Sequence, residues 1–484
     1  MTVRKQDCGR RVVKLSVKIL AAVLIAVICA GQAHAAAKYV FLFIGDGMGT
    51  AQRNAAEIFL AGKSAQSSQT AAPRESQLVM NSLPIAGEIG TDSLSGVTDS
   101  AAAGTALATG RKTKNGAVAT DGAGVKYRSV AAIAHERGFK VGIVTSSFLE
   151  DATPAAFYAH SDSRTRRYEI GLQLPESGFE YFAGGGFSNP KGKDKKMRGL
   201  IDIAASKGYR VTSTRTGFDS LTPGGKCIAV SPKVRAGYMP WAIDADEADK
   251  NDISLAEFVK KGIYLLGGGS FFMMAEGGKI DLACHANDAA SAIREVIAFD
   301  EAVKTALDFF LEHPDDTLIV VTSDHETGGM ALSVIPDDSM AFYGAMSLQK
   351  GSYQRFEGSL PNPGKEGVGS FMARARDFFG DFDGLGEELS QRKSVRDAFA
   401  MTATPKKNRP VKSAPYKKLY GPYDPFTVAY MREMNAAAGV TWSTFYHTGK
   451  RVAVSAVGAG SESFAGSCEN SEIFTKLLAA LGIE

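Results

Sequence analysis

Three uninterrupted apolar runs stand out along the chain, at residues 39–44, 141–145 and 318–322. A run without polar interruptions indicates a strand that is buried on both faces, as in a parallel sheet. Stretches typical of helices lie between these runs, at residues 129–137 and 289–311. This alternation predicts an α/β fold with a mostly parallel central sheet and helices on both of its faces.

An aspartate follows each apolar run at its carboxyl end. These residues are Asp46, Asp151 and Asp324. Ligands of such sheets bind outside the carboxyl ends of the strands. The three carboxylates are therefore predicted to share one site.

The pattern weakens over residues 337–438, where turn residues cluster. We interpret this segment as an inserted subdomain or a long loop within one large domain, residues 36–484. Within it, residues 405–418 are basic and contain prolines. We interpret that charge as a solvated surface, with electrostatic guidance of an anionic substrate as the alternative.

The first 35 residues have the pattern of a secretory signal peptide. Six Lys and Arg precede or flank an apolar run at 19–30, and Ala33-His34-Ala35 forms a small-x-small cleavage signal. The 12-residue run is shorter than the roughly 20 residues that span a bilayer. Cleavage near Ala35 and a periplasmic or secreted location are expected, an uncleaved anchor being the alternative. Arg10-Arg11 leaves both general and twin-arginine export open.

Composition narrows the class of protein further. With 44% hydrophobic and 22% charged residues among 484, the chain is neither disordered, collagenous nor a multi-span membrane protein. The segment 1–35 holds six of the 55 Lys and Arg and one of the 52 Asp and Glu, which leaves 49 basic and 51 acidic side chains. No basic excess then implies a nucleic-acid partner.

Three cysteines remain after the predicted cleavage: Cys227, Cys284 and Cys468. In an oxidising compartment, three cysteines cannot all pair with one another. Cys227 with Cys468 and a lone Cys284 is one possibility, and no pairing is the other.

Histidines stand in acidic or aromatic surroundings at three places. Asp281 precedes His285 by four residues, so both lie on one face of a helix. Asp324-His325 follows a predicted strand, and His447 follows an aromatic run. Mixed imidazole and carboxylate ligands are typical of zinc. The alternatives are a helix salt bridge for the first pair and a helix cap for the second.

Ser100 opens a stretch of small residues that is predicted to be helical. Backbone N–H groups and the helix dipole at such a position favour an anion. The hydroxyl is either a helix N-cap or, near a metal, a nucleophile that loses its proton. The chain has no Gly-x-Ser-x-Gly elbow that would indicate the hydrolase triad instead.

Taken in order along the chain, these segments resemble the alkaline phosphatase family. The resemblance covers nearly everything after residue 35 except 337–438. It rests on Gly45-Asp46-Gly47-Met48-Gly49, Asp99-Ser100-Ala101-Ala102-Ala103-Gly104-Thr105-Ala106, Asp151-Ala152-Thr153-Pro154-Ala155 with His160 and Arg164, Glu276-Gly277 with Ile280-Asp281 and His285, Ser323-Asp324-His325-Glu326-Thr327-Gly328-Gly329, and His447-Thr448-Gly449.

The resemblance implies a metal-dependent phosphomonoesterase with two zinc ions and one magnesium ion. Its metal ligands are carboxylate, imidazole and hydroxyl groups: a first zinc at Asp281, His285 and His447, a second zinc at Asp46, Asp324 and His325, and magnesium at Asp46, Thr153 and Glu276.

The remaining roles implied by the resemblance concern the phosphate. Ser100 is the nucleophile and becomes a phosphoserine, and Arg164 binds two phosphate oxygens as a planar fork. Asp99 orients Arg164, and Asp151 orients water bound to the magnesium. His160 is interpreted as a structural residue or as one that contacts a metal ligand without binding metal itself, and His135 and His313 as ordinary surface or boundary histidines.

One position departs from the family pattern. Some bacterial relatives have Lys directly after the zinc-binding aspartate, whereas this chain has Leu282. Weaker retention of phosphate and altered metal preference are expected, because one positive charge is missing.

The favoured hypothesis is a periplasmic or secreted alkaline phosphatase acting on small-molecule phosphate monoesters, with a homodimer as one option. A phosphodiesterase or sulfatase is the first alternative, although those enzymes typically use Thr or a modified Cys in place of Ser100. A non-catalytic phosphate-binding protein is the second alternative. The nucleophile and all the metal ligands that the resemblance implies are present in the sequence, which argues against it.

Overall fold

The computed structural model describes residues 36–68, 78–245, 251–333, 339–363 and 365–483. The predicted signal peptide, residues 1–35, lies outside this part of the chain. None of the helices described is both long and apolar enough to cross a bilayer.

A ten-stranded sheet forms the centre of the molecule, in the order β14-β2-β13-β8-β1-β7-β3-β4-β6-β5. Two short two-stranded sheets, β9 with β12 and β10 with β11, accompany it. The strands are β1 Tyr39–Ile44, β2 Ile85–Gly90, β3 Lys140–Thr145, β4 Tyr181–Gly184, β5 Tyr209–Thr212, β6 Lys226–Val230, β7 Phe271–Glu276, β8 Thr317–Thr322, β9 Glu326–Thr327, β10 Ala331–Leu332, β11 Val440–Thr441, β12 His447–Thr448, β13 Val452–Gly458 and β14 Gly466–Glu469.

Helices connect the strands. They are α1 Thr50–Ser68, α2 Ser100–Thr109, α3 Val130–Glu136, α4 Ala152–Ala155, α5 Arg167–Gln173, α6 Leu200–Ser206, α7 Arg215–Asp219, α8 Leu255–Leu266, α9 Lys279–His285, α10 Ala289–Glu312, α11 Ser339–Ser347, α12 Tyr353–Ser359, α13 Val368–Phe379, α14 Leu385–Gln391, α15 Lys393–Ala403, α16 Ala414–Tyr420, α17 Pro425–Ala437 and α18 Glu472–Ala480. Short 3-10 helices lie at Val79–Asn81, Ala242–Asp244, Phe382–Gly384, Lys406–Asn408 and Ser461–Phe464.

Strand β1 shows why the sheet is covered on both faces. Phe41 and Phe43 belong to one buried hydrophobic cluster, and Val40, Leu42 and Ile44 belong to a second. Alternate side chains of a strand point to opposite faces, so a wholly apolar strand needs packing on both. The predicted α/β fold, with helices on both faces of a mostly parallel sheet, is confirmed. Among the strands that the structure describes in this sheet, only β13 runs antiparallel to its neighbours, β2 and β8.

The strands at the centre of the sheet end level with one another. Ile44 of β1 pairs with Glu276 of β7 and with Thr322 of β8. Thr145 of β3 pairs in turn with Glu276. This register brings the loops that follow β1, β3, β7 and β8 to one edge of the sheet.

The segment expected to be an inserted subdomain or a long loop is largely helical where the structure describes it, from α11 to α17. Its aromatic residues Phe356, Phe371 and Phe426 are buried in the same hydrophobic cluster as Phe41. The segment thus extends the core on one face of the sheet. Residues 337 and 338 lie outside the described part, and the domain boundaries stay a prediction.

All three described cysteines are free. Cys227 lies on β6 and Cys468 on β14, near opposite ends of the sheet order. A disulfide requires Cα atoms within about 7 Å, so the Cys227–Cys468 alternative is wrong.

Candidate active site

One cluster of carboxylate and imidazole groups forms where β1 and β8 end. Ligand atoms of Asp46, Asp324 and His325 all lie within 4.8 Å of one another. Nε2 of His325 is 3.5 Å from Oδ1 of Asp46 and 3.2 Å from Oδ2 of Asp324. The backbone N–H groups of Gly47 and His325 donate to Asp324 Oδ1, at 3.1 and 2.9 Å. The other carboxylate oxygen is left facing the cluster.

A second cluster joins helix α9 to strand β12. His285 Nε2 is 3.2 Å from Asp281 Oδ2 and 3.1 Å from His447 Nε2. The rings of His447 and His325 stack with centroids 3.6 Å apart, so the two clusters adjoin. Asp281, His325 and His447 also bring ligand atoms within 4.8 Å of one another.

The tautomers of the two histidines follow from their outer contacts. Nδ1 of His285 lies 2.6 Å from the Phe445 carbonyl oxygen, and Nδ1 of His447 lies 2.8 Å from that of Thr98. An Nδ1–H that donates to a carbonyl leaves Nε2 as a lone pair in the neutral ring. When both rings are neutral, two Nε2 lone pairs face each other, an arrangement that a bound cation would stabilise. Without a cation, His285 holds a second proton instead, because its pKa is raised.

Several carboxylate oxygens at this edge are buried without accepting a hydrogen bond. They are Asp46 Oδ1, Asp324 Oδ2 and Glu276 Oε1. The Thr153 hydroxyl donates to Asp46 Oδ2 at 3.5 Å, and the Thr145 hydroxyl donates to Glu276. Buried oxygens that converge without donors are costly. This donor set fits divalent cations.

The acidity of these carboxyls reflects their crowding. Burial raises the pKa of Asp46 well above its usual range, and the negative charge of Asp324 adds to the effect. Burial and then Asp151 raise the pKa of Glu276 to about 8. Burial and then Asp281 raise the pKa of Asp324 to about 7. Without cations, the cluster favours protonated carboxyls.

The second cluster contains one ion pair. Burial opposes ionisation of Asp281, but the charge of His285 lowers the pKa of that carboxyl overall. Burial likewise opposes the charging of His285, but Asp281 raises its pKa to about 9. Burial lowers the pKa values of His325 and His447. These last two rings are therefore neutral and able to act as ligands near pH 7.

Ser100 begins helix α2 and lies against the first cluster. Its hydroxyl is 3.3 Å from His325 Nε2, and the residue is 3% exposed. Asp99 is the N-cap of the helix and accepts from Ala102 N at 3.0 Å. The N-cap alternative for Ser100 is therefore wrong, and its hydroxyl is not engaged in capping.

Arg164 is held between two carboxylates. Its Nη1 donates to Asp99 Oδ2 at 3.3 Å and its Nη2 to Asp151 Oδ1 at 3.2 Å. Asp99 in turn accepts from Gly116 N at 3.0 Å. Burial acts against the charge of Arg164, but Asp151 and Asp99 raise its pKa overall. Its side chain is 31% exposed, so the guanidinium remains accessible to a ligand.

Asp151 is oriented by its own neighbours. It caps helix α4 through Ala152 N at 2.9 Å, and Ser147 Oγ donates to its Oδ2 at 2.5 Å. Helix α4 also carries Thr153, so the two residues share one rigid turn. The structure thus brings together every metal-ligand, nucleophile and phosphate-binding residue predicted from the sequence.

Thr327 contacts both clusters, although the family resemblance implies no role for it. Its hydroxyl donates to Asp281 Oδ1 at 2.5 Å and lies 3.2 Å from His325 Nδ1. It therefore connects the two clusters. The sequence could have indicated this role, because Thr327 lies only two residues after His325, in the segment that supplies two of the predicted zinc ligands.

The other histidines considered in the sequence lie outside the clusters. His160 Nε2 is 2.9 Å from the Tyr127 carbonyl oxygen, and His135 lies 3.4 Å from Glu180. The ring of His313 packs beside Tyr39.

Comparisons with known proteins agree with this geometry. The family model described as alkaline phosphatase matches residues 37–483. Alkaline phosphatase 3 of Bacillus subtilis (strain 168) is 32% identical, over 80% of this chain and 77% of its own. The alkaline phosphatase of Thermus thermophilus has a TM-score of 0.76 at 26% identity, covering 94% of this chain and 93% of its own. That of the Antarctic bacterium TAB5 has a TM-score of 0.61 at 26% identity, covering 93% and 99%. The chain belongs to the alkaline phosphatase family, the phosphoric monoester hydrolases.

Proposed function

We propose that this protein hydrolyses phosphate monoesters by transferring the phosphoryl group first to Ser100 and then to water, at a site with two zinc ions and one magnesium ion. One observation carries the proposal. The Ser100 hydroxyl, 3.3 Å from His325 Nε2, adjoins two clusters of imidazole and carboxylate groups, in which Asp46 Oδ1 and Asp324 Oδ2 are buried without a hydrogen-bond donor.

The donor sets fit the implied metals. The residues that would hold them are Asp281, His285 and His447 for one zinc, Asp46, Asp324 and His325 for the other, and Asp46, Thr153 and Glu276 for magnesium. Bound cations would supply Lewis acidity and neutralise developing negative charge. A variant of the TAB5 enzyme is described with magnesium bound in its M3 site, which supports magnesium as the third ion.

The chain itself positions the nucleophile and the phosphate. Asp99 caps α2, so the rest of the first turn presents backbone N–H groups and the positive end of the helix dipole around Ser100. Arg164 is held by Asp99 and Asp151, and its planar fork matches two oxygens of a phosphoryl group. A monoester dianion offers more unesterified oxygens than a diester, which favours monoesters.

In-line transfer places the attacking and leaving oxygens on opposite sides of phosphorus. Ser100 lies against His325, so the leaving oxygen faces the cluster of Asp281, His285 and His447. Attack by water on the phosphoserine repeats the displacement from that side. Two displacements retain the configuration at phosphorus.

The test compares a phosphate monoester, a phosphate diester and a sulfate ester, with and without chelator. Ser100→Ala should lower monoester turnover by orders of magnitude while metal content by elemental analysis is unchanged. Ser206→Ala, at an exposed serine that ends α6, is the matched control and should be fully active. Mass spectrometry of acid-quenched enzyme should place one phosphoryl group on Ser100. Diester turnover above monoester turnover, or activity that survives exhaustive chelation, would contradict the proposal.

We also propose that residues 1–35 direct export to the periplasm or the exterior. The apolar run and the Ala33-His34-Ala35 signal support this. Amino-terminal sequencing of the exported protein should begin at Ala36, and a mature chain that retains Met1 would contradict it.

A further inference from the structure

A cavity of about 450 Å³ lies beside the second cluster. Leu282, the residue directly after Asp281, is part of its lining, together with Tyr238, Trp241, Arg235 and Lys279. Neither the proposed metal sites nor the phosphate contacts use this space. Cavities of this size are typical of small-molecule sites.

Helix α9 connects the cavity to the chemistry. Asp281 and His285 are four residues apart and share one face, whereas Lys279 and Leu282 are three apart and share another. The first face carries the ligand atoms of the second cluster, and the other face lines the cavity. Leu282, which follows Asp281 in the chain, therefore places the edge of the cavity next to this cluster.

The opposite wall is a tight hairpin in which Arg235 and Tyr238 pair. Ala236 and Gly237 between them have φ values of 53° and 91°, which suit a two-residue hairpin turn. A Cβ at Gly237 would lie 3.0 Å from Phe148 Cβ, and the Tyr238 ring packs edge-on against Phe148 at 5.1 Å. The hairpin is therefore seated on the segment that leads to Asp151.

The loop that continues from this hairpin is tied to the ends of β3 and β7. Met239 N donates to the Ser146 carbonyl at 3.1 Å, and Lys279 N donates to Ser146 Oγ at 3.2 Å. Both cavity walls thus stand on the strands that position Asp151 and Glu276. This common support fixes the cavity relative to the phosphate position.

Four charged residues line the cavity, and three of them, Lys233, Asp244 and Lys279, are engaged with other residues of the protein. Lys279 is buried, with its Nζ 3.3 Å from Glu295 Oε1 and 4.1 Å from the Trp241 ring centre, so its charge is matched inside the protein. Asp244 accepts from the backbone and hydroxyl of Ser352 at 2.7 and 2.6 Å. Arg235 is exposed and forms no side-chain hydrogen bond or ion pair with the described residues.

We propose that this cavity is a leaving-group subsite for phosphate monoesters whose alcohol carries a flat aromatic ring with an anionic group beyond it. The ring packs among Tyr238, Trp241 and Leu282, and the anion meets Arg235 at the mouth. This inference rests on the proposed function, because in-line transfer from Ser100 directs the leaving oxygen toward Asp281.

The experiment uses the metal-loaded enzyme and three esters whose alcohols have closely similar acidity: ethyl phosphate, 2-phenylethyl phosphate and 2-(4-carboxyphenyl)ethyl phosphate. Burial of the ring should raise kcat/KM about tenfold over ethyl phosphate. The carboxylate should add about threefold at low salt, because it pairs with an exposed cation.

Variants separate the two contributions. Arg235→Gln should abolish the gain from the carboxylate and keep the gain from the ring. Tyr238→Ala should reduce the gain from the ring, and Tyr238→Phe should restore it. Arg137→Gln, at the exposed arginine that directly follows α3, is the control and should match the wild type on all three esters.

Equal kcat/KM values for ethyl and 2-phenylethyl phosphate would overturn the subsite while leaving the proposed function intact. A carboxylate gain that persists in Arg235→Gln would also overturn it, and this variant decides the matter even if Tyr238→Ala does not fold. Absence of turnover with all three esters would overturn the proposed function and the subsite together.

Discussion

At the scale of single residues, Thr327 makes the contact that joins the two clusters. Its hydroxyl donates to Asp281 Oδ1 at 2.5 Å, which directs the other oxygen of that carboxylate toward His285. Thr327→Val keeps the shape of the side chain and removes this donor. Outer-sphere changes of this kind typically cost about 10- to 100-fold in metal affinity.

We therefore expect Thr327→Val to lose zinc to a competing chelator at correspondingly lower concentrations, with the thermal unfolding of the metal-loaded protein little changed. Thr305→Val, which removes a hydroxyl that donates only to the Glu301 carbonyl on α10, is the control. Equal zinc retention by the two variants would show that the hydroxyl of Thr327 does not orient a ligand.

Leu282 is the second residue with a specific consequence. Its side chain is partly buried against the core and lines the cavity. Because leucine is uncharged, this position adds no positive charge beside Asp281. Leu282→Lys should strengthen inhibition by inorganic phosphate severalfold, because it supplies that charge, whereas Leu282→Met should not. The inhibition constant for phosphate in the two variants is the measurement. An unchanged constant in Leu282→Lys would remove the argument from charge.

The sequence predicted which residues converge here, but only part of how they are held. Asp46, Asp151 and Asp324 could be placed together because each follows a buried parallel strand. Asp99, the N-cap of α2, accepts a hydrogen bond from Gly116 N at 3.0 Å. This bond joins the start of the helix to a loop 17 residues further along the chain. No local pattern encodes that contact, since it depends on how the loop folds back.

At the scale of elements, the turn after β1 is constrained by α9. Gly47 has a φ of 72°, and a Cβ there would lie 2.8 Å from the Asp281 Cα atom. Gly47→Ala should therefore displace Asp281 as well as strain the backbone, and lower both kcat and zinc content. Gly208→Ala is a matched control, because Gly208 has a φ of 87° and open space around it.

The control variant should lose about 1 kcal/mol of stability and remain fully active. Chemical denaturation, monoester turnover and elemental analysis of both variants separate backbone strain from displacement of the ligand. Similar turnover in the two variants would contradict the proposed contact.

Element prediction succeeded where burial was continuous. The apolar runs of β1, β3 and β8 and the helical stretches of α3 and α10 are confirmed. The helices from α11 to α17 were missed because they are short and separated by turn residues. In α13, Phe371, Ala375 and Phe378 are buried at helical spacing, but they face a core that is built by distant parts of the chain.

At the scale of the whole molecule, the titratable groups of the site make the free energy of unfolding depend on pH and on bound metal. In the metal-free protein, the pKa of Glu276 is raised to about 8 and that of His285 to about 9. The folded chain then holds protons between pH 7 and 9 that the unfolded chain has already released. Stability falls with rising pH wherever the folded state binds more protons.

Other groups of the site do not reverse this direction between pH 7 and 9. The lowered pKa values of His325 and His447 leave both rings neutral in the folded protein, and unfolded histidines are largely neutral there too. Asp281, whose pKa is lowered, is ionised in both states. Asp46, whose pKa is raised, acts in the same direction as Glu276. Lys279 acts in the opposite direction, because burial lowers its pKa to about 8, but it offsets only part of the effect. The net loss of stability from pH 7 to 9 should therefore be on the order of 2 kcal/mol.

Thermal unfolding of chelator-treated protein at pH 7, 8 and 9 measures this effect, and Tm should fall steadily with pH. The metal-loaded protein should show a much smaller fall, because bound cations keep the carboxylates ionised at every pH. Metal-free Glu276→Gln should show a smaller fall in Tm than the metal-free wild type, because the contribution of Glu276 is removed. A metal-free Tm that is constant or rises from pH 7 to 9 would contradict this prediction. It would mean that the folded chain does not bind more protons than the unfolded chain in this range.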